Sequence, residues 1–166
     1  LGYPVVMKVV SPQILHKSDC GGVKLNLGDD RQAEEAFDAI HAVARDLDFR
    51  GVVIYPMLQG GREVILGLTK DRQFGPVVAF GMGGIYTEVM KDIVLRIAPV
   101  DEIRNYPILA GVRGQEKSDL KALAGAIARF SQLPFLYPDL VEADLNPVFV
   151  FPRGVVAGDA RLVGEG

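Results

Sequence analysis

The stretch Lys8-Val9-Val10-Ser11-Pro12-Gln13-Ile14-Leu15-His16-Lys17-Ser18-Asp19-Cys20-Gly21-Gly22-Val23 decides how the chain is read. An apolar, β-branched run over residues 4–10 is interrupted only by Lys8, the mark of a buried strand presenting one charged head. Ser11-Pro12 ends that strand, because proline has no N–H to give to a ladder. A polar loop then carries His16 to Gly21-Gly22, a pair whose backbone can expose amide N–H groups to an anion. Residues 23–27 alternate apolar side chains with Lys24 and Asn26 and read as the partner strand. A neutral imidazole is both nucleophile and proton carrier near pH 7, so the stretch predicts a loop that handles phosphate. Two plainer readings stand beside this one: Lys8 snorkelling from an edge strand, and His16 solvated in an ordinary strand connection.

The whole chain sets the bounds. Its 166 residues are 49% apolar, enough for one sizeable core or for two small lobes that share a cleft. The formal net charge of -3 gives no basic face of the kind nucleic-acid binding requires, so no nucleic-acid partner is expected. One cysteine, Cys20, excludes an internal disulfide framework and a cysteine-based metal cluster, in keeping with a reducing, cytoplasmic setting. No apolar run is long enough to span a bilayer, so no membrane association is expected. The chain enters a strand almost at once after Leu1-Gly2-Tyr3-Pro4, which predicts a piece of a longer polypeptide.

Onward from the loop, Gly28-Asp29-Asp30 caps a helix over residues 31–47, with Phe37, Ile40, Val43, Ala44 and Leu47 at helical spacing and His41 beside the stripe in a structural or solvated role. Residues 51–57, 64–68 and 76–80 read as three strands joined by short turns, an antiparallel meander. Arg62-Glu63 stand where the second of these begins. Gly81-Met82-Gly83-Gly84 is a second glycine-rich stretch; it fits neither the Rossmann fingerprint nor a P-loop. A short strand follows over residues 93–97. Asp101 and Ser118-Asp119 then open helices, the second over residues 120–133, and Pro134 and Pro138 bracket an irregular approach to the last strands.

Over residues 141–150 alternation puts Glu142, Asp144 and Asn146 on one face and Val141, Ala143 and Leu145 on the other. Such a row of oxygen donors suits a hard cation such as Mg²⁺, which completes its shell with water and substrate phosphates. The returning strand, residues 155–159, brings Asp159 within reach of the same site. A polar solvated face of a hairpin is the alternative. A cleft lysine, a histidine loop, two glycine-rich stretches and an acidic hairpin are together the parts of a phosphoryl-transfer site that lacks a P-loop.

Several of these segments also carry a family resemblance. Pro4-Val-Val-Met-Lys8, Ser11-Pro12, His16-Lys17-Ser18-Asp19, Gly21-Gly22-Val23, Gly60-Gly61-Arg62-Glu63-Val64, Gln73-Phe74-Gly75-Pro76, Gly81-Met82-Gly83-Gly84 and Asp144-Leu145-Asn146-Pro147 closely resemble, in order, the ATP-grasp domain of ADP-forming (NDP-forming) acetyl-CoA and acyl-CoA synthetases, related to the succinyl-CoA synthetase beta subunit. The resemblance implies an α+β chain of the ATP-grasp fold, an antiparallel sheet lobe with flanking helices that clamps ATP. Residues 1–166 would form one such domain of a larger enzyme, with the N-terminal part of the lobe missing. It further implies that Lys8 contacts nucleotide phosphate, that the backbone at Tyr55, Pro56, Met57 and Leu58 lines the adenine pocket, and that Glu63 lies on the nucleotide side. Gly83 and Gly84 would cover the nucleotide. Asp144, Asn146 and Asp159 would serve Mg²⁺, with Glu142 beside them, and His16 would relay phosphate to a phosphohistidine on a CoA-binding partner.

In such enzymes ATP, carboxylate and CoA are interconverted with acyl-CoA, ADP and phosphate. The implied partners are the CoA-binding and succinyl-CoA-synthetase-like domains or an alpha subunit, and the isolated chain is expected to be inactive. Cys20 replaces a usual apolar residue and reads as packing. The same module occurs fused to an acetyltransferase in protein-lysine acetylating enzymes, as a regulatory domain, and that is the alternative function. A metal-binding or scaffold domain without catalysis is the third reading.

Overall fold

The computed structural model describes residues 1–14, 17–83, 93–100 and 118–165. They form two compact units, Leu1–Gln59 and Gly60–Gly166.

The first unit holds strands β1 (Val5–Val9), β2 (Val23–Leu27) and β3 (Val52–Pro56) with helix α1 (Asp30–Ala44). The sheet order is β2-β1-β3, both pairings antiparallel. β1 is therefore central and Lys8 does not lie on an edge strand, which removes the snorkelling alternative. Period-2 alternation sends Val5, Met7 and Val9 into a core with Ile40 and Ala44 of α1, and leaves Lys8 half-buried on the other face. Asp29 caps the helix by accepting from Gln32 N–H at 2.8 Å, while Gly28 N–H donates to Gln32 Oε1 at 2.9 Å. The buried stripe of α1 is Ala36, Ile40 and Ala44. Phe37, Val43 and Leu47, expected on that stripe, are exposed. Phe37 and Phe49 instead bracket His41, with ring centroids 6.2 and 5.1 Å away, and that histidine is exposed.

The second unit holds β4 (Arg62–Asp71), β5 (Gly75–Met82), β6 (Ile93–Ile97), α2 (Leu120–Ser131), α3 (Leu133–Leu136), β7 (Leu140–Val150), β8 (Val155–Ala157) and β9 (Ala160–Gly164). Its sheet runs β6-β5-β4-β7-β8, with β9 also on β7, and all pairings are antiparallel. Val64, Leu66, Phe80, Val148, Leu123 and Ile127 meet in its core, so α2 covers one face of the sheet. Ser131, fully buried, accepts from Val100 N–H at 2.9 Å and donates to Ala128 O at 2.7 Å, which satisfies its hydroxyl.

Two expectations are corrected. The meander of three strands is a hairpin of two: β3 pairs with β1 in the first sheet, and β4 with β5 in the second. Local patterning found each strand, but partner choice is set by distant segments. The β4–β5 turn is fixed by Asp71, whose carboxylate accepts from Gln73 N–H and Phe74 N–H at 2.8 Å each, with Gly75 in the left-handed region at φ +73. The expected irregular approach at Pro134 is instead the single helical turn α3, with proline in its first turn. The helix opened by Asp101 lies outside the described residues.

Candidate nucleotide and metal site

The residues expected to serve the site are described unit by unit. In the first, β1 and β3 pair so that Val6 faces Tyr55, Lys8 faces Val53 and Val5 faces Pro56. Lys8 and Tyr55 are thus diagonal neighbours on one face, and the Lys8 ammonium stands 5.9 Å from the centroid of the Tyr55 ring. Tyr55 and Pro56 are exposed, and Met57 and Leu58 are half-buried. Met57 N–H donates to Pro4 O at 2.9 Å, which ties the segment after β3 back to the start of β1. His16 lies outside the described residues. Over residues 17–22, Gly22 N–H donates to Lys17 O at 2.8 Å and Gly21 N–H to Ser18 O at 3.2 Å. Gly21 has φ +75, and a Cβ on Gly22 would meet Val9 Cγ1 at 2.6 Å, so turn geometry explains the first glycine and close packing the second. Cys20 is exposed, not packed as expected; its Sγ lies 3.3 Å from Lys17 O.

In the second unit Glu63 is the second residue of β4 and is exposed. Gly83 N–H donates to Glu63 O at 2.9 Å, and a Cβ on Gly83 would stand 2.9 Å from Glu63 Cβ. Glycine at 83 is what allows the two segments to touch. Gly84 lies outside the described residues.

The acidic hairpin departs from simple alternation. Along β4, Val64 faces Val148 and Leu66 faces Leu145, so two steps on β4 match three on β7. That bulge at Asn146–Pro147 switches the buried face from Ala143 to Val148 and Val150. The expected return strand is likewise two short strands, β8 and β9, with Gly158 and Asp159 between them. Gly158 N–H donates to Pro147 O at 2.8 Å, and Ala160 faces Leu145. Asn146 and Asp159 are each flanked by these two pairings and so stand abreast. Asp159 Oδ1 also accepts from Ala160 N–H at 2.9 Å. Asp144 is half-buried opposite Gly67 on one side and Arg161 on the other.

Arg161 was not singled out in the sequence. Its guanidinium lies 3.2 Å from Glu142 Oε1, so one oxygen of that carboxylate is engaged in an ion pair. Position 161 is two residues from Asp159 on the same chain, and that alternation was the signal available for it. Among the described residues no group of three or more His, Cys, Asp or Glu side chains gathers as a metal site. Two carboxylates and an amide oxygen do not make an all-protein cage, but they fit Mg²⁺ shared with phosphate and water, since that ion usually takes only one or two carboxylates.

The chain belongs to the ATP-grasp domain family, whose model matches residues 1–163. It is similar to the beta subunit of the ADP-forming acetate–CoA ligase I of Pyrococcus furiosus, 48% identical over 176 residues, a match covering 98% of this chain and 76% of that subunit. The dinucleotide-forming acetyl-coenzyme A synthetase 1 of Ca. Korarchaeum cryptofilum, in complex with coenzyme A, Ca-AMPCP and HgCl+, superposes with a TM-score of 0.89 at 36% identity, over 99% of this chain and 77% of that one. The same enzyme with coenzyme A and Mg-AMPPCP, its phosphohistidine segment pointing towards the nucleotide binding site, gives 0.80 at 36% identity, over 99% of this chain and 78% of that one. The α+β, ATP-grasp expectation holds. Among the described residues no helix is long and apolar enough to cross a membrane.

Proposed function

We propose that the chain is the nucleotide-binding and phosphoryl-transfer part of an ADP-forming acyl-CoA synthetase, an acid–thiol ligase that interconverts ATP, carboxylate and CoA with acyl-CoA, ADP and phosphate. The observation that carries this reading is the match over 99% of the chain to a synthetase in complex with coenzyme A and Mg-AMPPCP whose phosphohistidine segment points towards the nucleotide binding site. Lys8 gives its ammonium to nucleotide phosphate oxygens. The backbone from Tyr55 through Pro56 and Met57 to Leu58 lines the adenine, Glu63 lies on the nucleotide side, and Gly83 with Gly84 covers it. Asp144, Asn146 and Asp159 hold Mg²⁺, which when bound neutralises phosphate charge. His16 is the nucleophile: an imidazole nitrogen forms a bond to the γ-phosphorus as the bond from that phosphorus to the ADP oxygen breaks. The phosphohistidine then hands its phosphoryl group to a CoA-binding partner.

That partner is an alpha subunit, or CoA-binding and succinyl-CoA-synthetase-like domains on one chain with this one. A cytoplasmic setting goes with ATP and CoA as substrates. The relatives described above are synthetases, which leaves the acetyltransferase-fusion alternative without support. The reading is tested by calorimetry of Mg-ATP binding to the intact protein. Asn146→Ala combined with Asp159→Ala is expected to weaken binding at least about tenfold; an unaltered affinity removes the metal assignment.

A further inference from the structure

Two segments of the second unit that the proposed site draws on, those leading into Glu63 and into Asp159, pass close to Phe149. Glu63 on β4 lies directly opposite Phe149 on β7, so the two share a face of the sheet. Just before Glu63 the chain passes Gly61, where a Cβ would stand 3.0 Å from Phe149 Cβ and 3.0 Å from Phe151 Cε1. Just before Asp159 it passes Gly158, where a Cβ would stand 2.7 Å from Phe149 Cε2. Neither glycine has a left-handed φ, so close approach to the rings, not turn geometry, is what glycine supplies there. Phe151 backs the ring, its centroid 6.4 Å away and its plane inclined by 25°. The Gly158 N–H bond to Pro147 O, 2.8 Å long, holds the turn down on the same spot, one residue from Asn146. A ring confined in this way is a fixed surface, and the turn at Gly158 takes its position from it.

We propose that Phe149 is a positioning residue for the metal site: its ring seats the Gly158–Asp159 turn and so sets Asp159 beside Asn146, without itself touching substrate. This rests on the metal reading of Asp159 given above. Ordinary core packing would also place an aromatic there, but it would not make the ring's shape matter to metal affinity.

The test titrates Mg²⁺ against the intact protein at a fixed, subsaturating concentration of AMPPCP, following nucleotide binding and, separately, the thermal midpoint. Phe149→Leu and Gly158→Ala are each expected to raise the half-saturating Mg²⁺ concentration about tenfold. Their combination should be no worse than Phe149→Leu alone, because leucine ends short of the position of Cε2 and leaves room for the new methyl. Asp159→Asn serves as reference. If it leaves the Mg²⁺ dependence unchanged, the metal reading fails and this inference with it. If Asp159→Asn raises the requirement while Phe149→Leu and Gly158→Ala shift only the thermal midpoint, or if their effects multiply, the metal reading stands and the role of Phe149 is overturned.

Discussion

Lys8 shows what one residue can carry. It is a half-buried cation on the central strand of its sheet, beside the exposed ring of Tyr55. Keeping a charge at such a place costs solvation, which a phosphate ligand would offset. Lys8→Met is therefore expected to weaken ATP binding by about 1.5–3 kcal/mol, the range of a charge-assisted hydrogen bond, while the first unit stays folded. Calorimetry with circular dichroism checks both halves of that statement. Lys8 was legible because it breaks an apolar run. Asp144, Asn146 and Asp159 were legible because oxygen donors repeat near the end of the chain. Phe149, Gly158 and Arg161 were not, because nothing local distinguishes an aromatic that seats a loop from one that fills a core, and the register that pairs Asp144 with Arg161 is a property of two strands.

At the scale of elements, the alternation and capping rules found β2 and the start of α2 to the residue, and the start of α1 to within one residue. They failed at bulges and partner choice. The bulge of β7 leaves no mark in the alternation that precedes it, and β3 reads as well for a meander as for a separate sheet. The cap of α2 yields a pH prediction. Asp119 accepts from Ala122 N–H and from Gly154 N–H, both at 2.9 Å, so it joins the start of the helix to the β7–β8 turn. These bonds hold its carboxyl below the ordinary value of 3.8. A carboxyl whose folded pKa is depressed contributes stability above its unfolded value, and loses it as pH falls through the folded one. Asp119→Asn is thus expected to lower the thermal midpoint at neutral pH and to narrow the gap to the parent protein below pH 3.8. Melts across an acid series measure it, and a gap independent of pH would contradict the assignment.

At the scale of the whole molecule, two separate cores are read from one apolar composition. Ile40 is fully buried in the first and Leu66 in the second. Ile40→Ala and Leu66→Ala are each expected to cost about 2–5 kcal/mol, and the two costs should add, because the clusters share no member. Denaturant unfolding of the single and double variants reads this directly.

Function was legible at this scale before the fold was known, through ordered motifs rather than through any one residue. A lone histidine between strands is most often solvated, and it was the acidic hairpin far along the chain that gave His16 a chemical context. The most direct test of the account is phosphorylation of the intact protein with γ-labelled ATP and Mg²⁺, followed by mapping of the label. The account predicts acid-labile label on His16, and loss of both label and turnover in His16→Ala. Label incorporation and turnover unchanged in that variant would contradict it.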